Sequence, residues 1–114
     1  MQIIKYHNKK TLYDDIKFDS IKEKNRYVEL KLLERAGEIK DLILQQKFIL
    51  QDSFKYQDKT ERAITYSVDF SYYECESNLH VVEDVKGYRK AGNYPIKRKL
   101  FLFKYGDVYD FREV

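Results

Sequence analysis

The pattern of apolar and polar positions first predicts a helix. Ser20 and Glu23 form a Ser-x-x-Glu capping box in front of good helix formers. Gly37 follows that run, and glycine adopts the left-handed conformation that ends a helix at little cost. The pattern therefore places one helix between Ser20 and Gly37.

Three strands, a second helix and a closing strand are predicted next. Apolar and β-favouring residues predict a strand centred on Leu44–Leu50, a long strand over 62–74 and a third over 79–86. Pro95 suits the first turn of a helix that Gly106 ends, and residues 107–114 alternate as a final strand. Short loops favour antiparallel hairpins between the middle strands.

Length and composition indicate a single folded domain over residues 1–114. The chain is 43% hydrophobic and 36% charged, which is apolar enough to fold. No window approaches the roughly 18 apolar residues that span a bilayer, and no signal-peptide segment precedes the fold. We therefore expect a cytoplasmic protein without a membrane partner.

Charge is distributed unevenly along the chain. The formal net charge is +3, yet the segment from Val85 to Tyr105 has seven basic residues and no acidic one. Such a block predicts a polyanionic partner, with a solvated lysine-rich helix face as the alternative. The candidate phosphate-binding residues beyond Lys86 are Arg89, Lys90, Lys97, Arg98, Lys99 and Lys104.

Acidic residues occur at unusual positions in two of the predicted strands. Asp69 interrupts an apolar strand, and Asp84 and Lys86 share one face of the next strand, opposite Glu83. If these strands pair as a hairpin, Asp69 and Asp84 meet at one end of the sheet. Two close carboxylates predict either a divalent cation or a raised pKa. Salt-bridged strand residues are the structural alternative.

Two helical glutamates are further candidates. Glu23 is explained by the capping box alone, or it delivers a third carboxylate to the acidic pair, and the two roles are compatible. Glu29 lies among apolar neighbours on the helical wheel, so it is either a buried, paired carboxylate or an alternative member of a metal site.

These residues resemble a known family. Asp69, a spacer and then Asp84-Val85-Lys86 resemble the bipartite D…(D/E)xK signature of the restriction-endonuclease-like, or PD-(D/E)XK, nucleases. The stretches LQQKF, YSVDFSY and VVEDVKGY resemble short phage-encoded proteins of Gram-positive hosts in that superfamily. The resemblance implies an α/β fold with the order helix–strand–strand–strand–helix–strand, in which helices flank a mixed central sheet.

The resemblance also implies roles for individual residues. Asp69, Asp84 and the Val85 carbonyl would bind Mg²⁺, which Mn²⁺ can replace, and Lys86 would orient the attacking water. Glu23 matches the helical acid of transposon-type and junction-cutting members. Gln45 matches a glutamine that follows the first strand, although Gln46 stands where a proline is common.

We therefore expect a Mg²⁺-dependent DNA endonuclease that acts in recombination, repair or DNA processing in a bacterial host cell. A preference for branched or single-stranded DNA is expected because the chain has few residues for a separate recognition domain. Cutting both strands would require two active sites and therefore a homodimer. The alternative is a catalytically inactive module of the same fold that binds DNA or another protein.

Overall fold

A computed structural model describes residues 11–85 and 92–114. The two helices are α1 (Ile21–Arg35) and α2 (Tyr94–Tyr105). The strands of the described residues are β1 (Thr11–Tyr13), β2 (Ile16–Phe18), β3 (Ile39–Leu44), β4 (Lys47–Gln51), β5 (Phe54–Tyr56), β6 (Lys59–Glu61), β7 (Ile64–Ser67), β8 (Phe70–Glu74), β9 (Leu79–Asp84) and β10 (Asp110–Glu113). Lys86, Arg89 and Lys90 lie outside the described residues.

Both helices begin and end at the residues that the sequence indicates. The Ser20 hydroxyl accepts a hydrogen bond from the Glu23 amide at 3.0 Å, so the N-cap of α1 is confirmed. Gly37 has a φ of +80°, as the predicted helix stop requires. Pro95 stands in the first turn of α2, and Gly106 is its C-cap. Local sequence signals therefore predict the ends of both helices.

The largest sheet has four strands in the order β10-β9-β8-β3. β8 pairs antiparallel with both β3 and β9, whereas β10 runs parallel to β9. The predicted hairpin between the strands of Asp69 and Asp84 is therefore confirmed as β8–β9, with Phe70 opposite Glu83. Because β9 and β10 are parallel, a crossover that includes α2 connects them.

The apolar core lies on both faces of this sheet. Val81 and Val82 are adjacent in β9 and fully buried, and they belong to different clusters because successive strand residues point to opposite faces. The first cluster includes Tyr27 and Leu30 of α1. The second cluster includes Phe101 of α2 together with Phe48, Tyr66 and Val68. Each helix therefore packs against a different cluster.

The predicted α/β class, with a restriction-endonuclease-like core flanked by helices, is wrong. Of the described residues, 43% lie in strands and 28% in helices, and the strands form one four-stranded sheet and three two-stranded ones. The sheet arrangement differs from the expected one because predicted single strands are divided between separate sheets. β3 and β4 replace the first, β7 and β8 replace the second, and the β5–β6 hairpin lies between them. The chain is mainly β.

The strand breaks share one location. Gln45 has a φ of +54°, which ends β3 and turns the chain into β4. Its amide donates to the Asp69 carbonyl at 3.1 Å, and the Val68 amide donates to the Gln46 carbonyl at 3.0 Å. These bonds connect the two breaks, where the chain leaves the four-stranded sheet for the separate β4–β7 ribbon. Within the described residues, neither helix is long and apolar enough to cross a membrane.

Candidate functional site

Asp69 and Asp84 lie side by side where β8 begins and β9 ends. Asp84 Oδ1 accepts a hydrogen bond from the Asp69 amide at 3.1 Å, and Asp69 Oδ2 accepts one from the Val85 amide at 2.7 Å. The exposed fractions of the two aspartates are 8% and 1%. Backbone donors therefore hold two almost completely buried carboxylates next to each other, which is the juxtaposition that the hairpin predicts.

Tyr66 fixes the second oxygen of Asp84. This buried tyrosine of β7 donates its hydroxyl proton to Asp84 Oδ2. Each carboxylate oxygen has two lone pairs, so one hydrogen bond does not exhaust its capacity as an acceptor. The contact therefore fixes the orientation of Asp84 and leaves its carboxylate chemically able to accept further donors or to bind a cation.

Gln45 connects the aspartates to α1. Its Nε2 lies 3.4 Å from Glu23 Oε1 and 3.4 Å from Asp69 Oδ1. Glu23 is 8% exposed, so the carboxylate in the first turn of α1 points inward toward the sheet. The left-handed backbone of Gln45 brings its side chain to this position. We call the four side chains, Glu23, Gln45, Asp69 and Asp84, the acidic cluster.

The donor set of the acidic cluster suits a hard cation. Carboxylate and amide oxygens are the ligands that Mg²⁺ prefers, and Mg²⁺ is commonly bound through one or two carboxylates while it retains several waters. Within residues 11–85 and 92–114, no three or more histidine, cysteine or acidic side chains are grouped closely enough to form a complete metal site by themselves. Asp69 and Asp84 are therefore the two carboxylates that fit such an ion best.

The matching family covers nearly the whole chain. A family model described as "Protein of unknown function (DUF1064)" matches residues 3–112. The chain belongs to the DUF1064 family. No curated protein and no solved structure matches it significantly. The features of this DUF1064 protein that bear on its function are therefore the acidic cluster and its surroundings.

Two other acidic candidates lie outside the acidic cluster of this DUF1064 protein. The Glu29 side chain is 63% exposed and lies 3.4 Å from Arg26, so the expected burial of Glu29 is wrong although the expected pairing is present. Glu83 is fully buried, and Arg26 donates to its two oxygens at 2.8 and 2.6 Å while Tyr72 donates its hydroxyl proton. Glu83 therefore belongs to an ion pair on the opposite face of β9 from Asp84.

That ion pair shifts the pKa values of Arg26 and Tyr72. Hydrogen bonds from Arg26 to Glu83 raise the pKa of the guanidinium above its usual value, and the Glu83 charge adds to this effect. Burial raises the pKa of the Tyr72 hydroxyl, and its bond to Glu83 raises it further. The positive charge of Arg26 and the neutral form of Tyr72 are thus both stabilised, which suits a structural role.

The predicted phosphate-binding residues of α2 lie along the whole helix. Lys97 and Arg98 are half-buried, and Arg98 Nε lies 3.5 Å from Glu113 Oε2. Lys99 is exposed, and Lys104 donates to the Ile49 carbonyl at 2.8 Å. At 1.5 Å per residue, Lys104 is about 10 Å further along the axis than Lys97. With about 3.6 residues per turn, Lys97 and Lys104 share one face of α2 and Lys99 projects from nearly the opposite side, so the described basic residues do not form a single cluster.

The sequence does not predict the contacts of two tyrosines near the acidic cluster. Tyr66 bonds to Asp84, and Tyr94 donates its hydroxyl proton to Glu113. Burial raises the pKa of the Tyr94 hydroxyl, as do the bond to Glu113 and the negative charge of Asp84. The sequence gives no signal for these roles, because an aromatic residue in an apolar segment usually indicates core packing.

Proposed function

We propose that this chain is a metal-dependent DNA endonuclease that hydrolyses phosphodiester bonds. The observation that supports the proposal is the convergence of Glu23, Asp69 and Asp84, together with Gln45, from four separate parts of the chain. Burying several carboxylates together is costly unless cations or donors compensate their charge. A divalent cation would compensate the charge of these carboxylates and leave coordination positions for phosphate oxygens of DNA.

Mg²⁺, which Mn²⁺ can replace, would be held by Asp69 and Asp84, and the resemblance described above adds the Val85 carbonyl and Glu23 as further ligands. When bound, such an ion polarises the phosphoryl oxygen and stabilises the charge that develops on the leaving oxygen. Tyr66 and the backbone amides keep the two aspartates in fixed orientations. Gln45 restrains Glu23 relative to Asp69. Lys86, which lies outside the described residues, would orient the attacking water by the resemblance described above.

The basic residues would bind phosphates on either side of the cut. Lys97 and Lys99 of α2 follow the acidic cluster in the chain, and phosphate contacts position DNA without reading its sequence. The residues outside the described part of this block, Arg89 and Lys90, would act in the same way. We propose that the substrate is branched or single-stranded DNA, and that the protein is of phage origin and acts in the cytoplasm of the bacterial host.

The direct test is cleavage of labelled duplex, single-stranded, flap and four-way-junction DNA with Mg²⁺, Mn²⁺ or EDTA. Asp84→Asn removes the charge of Asp84 while an oxygen stays available to the Asp69 amide, so the fold should persist. We expect metal-dependent cutting by the wild type and a loss of at least about a hundredfold in this variant. Asp107→Asn, at an exposed turn residue, is the matched control and should cut normally.

Two results would contradict the proposal. One is DNA that stays intact under every condition while wild type and Asp84→Asn bind it equally in a salt-dependent manner, which would indicate a binding module. The other is cutting that persists in Asp84→Asn at the wild-type rate, which would indicate a contaminating nuclease or a different site.

A further inference from the structure

The β5–β6 hairpin extends away from the rest of the described fold. β5 and β6 pair with each other and make no substantial contact with another described helix or strand. Every residue of the hairpin is exposed, including the turn formed by Gln57 and Asp58. A two-stranded hairpin alone is at best marginally stable in water. The hairpin therefore projects from the fold, and both of its faces are accessible to a partner.

One face of the hairpin is aromatic. The antiparallel register pairs Phe54 with Glu61 and Tyr56 with Lys59, and residues directly opposite each other project from the same face. The aromatic face of the hairpin therefore consists of Phe54, Tyr56, Lys59 and Glu61. Phe54 is 48% exposed and Tyr56 is 61% exposed. Large aromatic side chains exposed on an unprotected strand pair favour association with another chain.

The charges of this face indicate which partner fits. It has one lysine and one glutamate beside the two aromatic residues, and residues 52–62 have equal numbers of basic and acidic side chains: Lys55, Lys59 and Arg62 against Asp52, Asp58 and Glu61. A surface without net positive charge lacks the electrostatic attraction that dominates binding to a polyanion. A twofold axis, by contrast, can place Lys59 of one copy against Glu61 of the other and bring the aromatic residues together.

We infer that the aromatic face of the hairpin binds the same face of a second copy and makes the protein a twofold-symmetric dimer. Such an interface is isologous, so one self-complementary patch satisfies both copies. The exposed apolar side chains of α2, Ile96 and Phe103, fit this role less well. Like-charged lysines surround them, and pairing two copies there would bring those charges together.

The size of the hairpin limits the affinity of this dimer. A face with two aromatic residues per copy belongs at the small end of specific interfaces, below about 1,200 Å² in total. The wild type should therefore dissociate on dilution, and its sedimentation coefficient should rise with concentration. This inference does not depend on the endonuclease proposal, because its measurement needs neither DNA nor a metal.

The first test removes the aromatic side chains. The double variant Phe54→Ser/Tyr56→Ser should weaken dimerisation by more than about tenfold in sedimentation velocity, because aromatic residues are frequent hot spots of interfaces. Phe103→Ser is the matched control, since Phe103 is also aromatic and is 92% exposed on α2. Dimerisation lost in the control and kept in the double variant would overturn the inference, as would a wild type that stays monomeric at millimolar concentration.

The second test uses the paired charges and leaves the aromatic residues intact. Lys59→Glu and Glu61→Lys should each be monomeric where the wild type dimerises, because like charges then face each other across the axis. An equimolar mixture of the two variants should form a heterodimer, since each charge regains an opposite partner. A mixture that stays monomeric would overturn the isologous pairing. Unchanged dimerisation in both variants, with DNA binding weakened, would assign the face to nucleic acid instead.

Discussion

At the residue scale, the most completely buried charge of the described structure has a structural explanation. Glu83 is fully buried, and its oxygens accept donors from Arg26 and Tyr72. Its neighbour Asp84 faces the other side of the sheet, where it joins the acidic cluster. Two adjacent acids of one strand therefore have different environments because a strand alternates its faces. The sequence alone shows only that both are acidic.

Glu83→Gln should destabilise the protein without affecting the proposed site directly. Removing one partner of a buried ion pair leaves the other charge poorly compensated, and Arg26 is only partly exposed, so we expect a loss of about 3 kcal/mol in the free energy of unfolding. Urea unfolding at pH 7 measures it. Glu29→Gln should cost no more than about 0.5 kcal/mol, since Glu29 is exposed and pairs with the same arginine. Equal losses in both variants would contradict this assignment.

At the element scale, the sequence predicts the features that depend on neighbouring residues and not those that depend on distant ones. The cap at Ser20, the stop at Gly37 and the proline at the start of α2 depend on neighbouring residues, so the sequence predicts them well. The break at Gln45 has no glycine or proline to mark it. It is stabilised by bonds to the distant segment at Val68 and Asp69, and such bonds leave no local pattern.

The contacts of the acidic cluster also include some that the sequence predicts and some that it does not. The proximity of Asp69 and Asp84 follows from one hairpin, so strand alternation and a short turn are enough to predict it. Tyr66 reaches Asp84 only because the β4–β7 ribbon separates from the main sheet at the shared break. That separation divides what the sequence presents as continuous apolar strands. The same separation replaces the expected single central sheet by a four-stranded sheet and separate two-stranded ones.

An ion pair connects two strands of the main sheet that are not neighbours, β8 and β10. Glu74 ends β8, and Arg112 of β10 donates to both of its oxygens at 3.0 and 3.1 Å, across the intervening β9. These bonds, with one from Ser77, lower the pKa of Glu74 from 4.5 to about 2. A lowered folded-state pKa stabilises the protein above pH 4.5, and this stabilisation disappears as the pH falls toward 2.

Glu74→Gln should therefore lower stability at pH 7 and have less effect in acid. The pair is partly exposed, so we expect a loss of about 0.5–1 kcal/mol at pH 7, after allowance for solvent screening. Urea unfolding at pH 7, 5 and 3 gives the comparison with the wild type. Glu76→Gln, an exposed neighbour in the turn before β9, should show no such pH-dependent difference. A difference between wild type and Glu74→Gln that grows as the pH falls would contradict the assignment.

At the scale of the whole molecule, charge separates two surfaces that would contact different partners. The hairpin segment is neutral, whereas α2 has four basic residues and no acidic one. Acidic residues are concentrated elsewhere in the chain, so the net charge of +3 understates the positive potential along α2. A polyanion would therefore bind along α2, and a second copy would bind at the hairpin.

Replacing basic residues of α2 should weaken DNA binding in a salt-dependent way. For Lys97→Gln/Lys104→Gln, whose side chains share one face of α2, we expect a lower affinity for all DNA sequences. The slope of log affinity against log salt should fall by about 2, because each phosphate contact contributes roughly 0.9. Fluorescence anisotropy in EDTA, between 50 and 200 mM salt, measures binding apart from cleavage. Lys40→Gln/Lys47→Gln, at exposed positions in β3 and β4, keeps the net charge equal and should retain the wild-type slope. If both double variants lowered the slope equally, binding would depend on overall charge and not on α2.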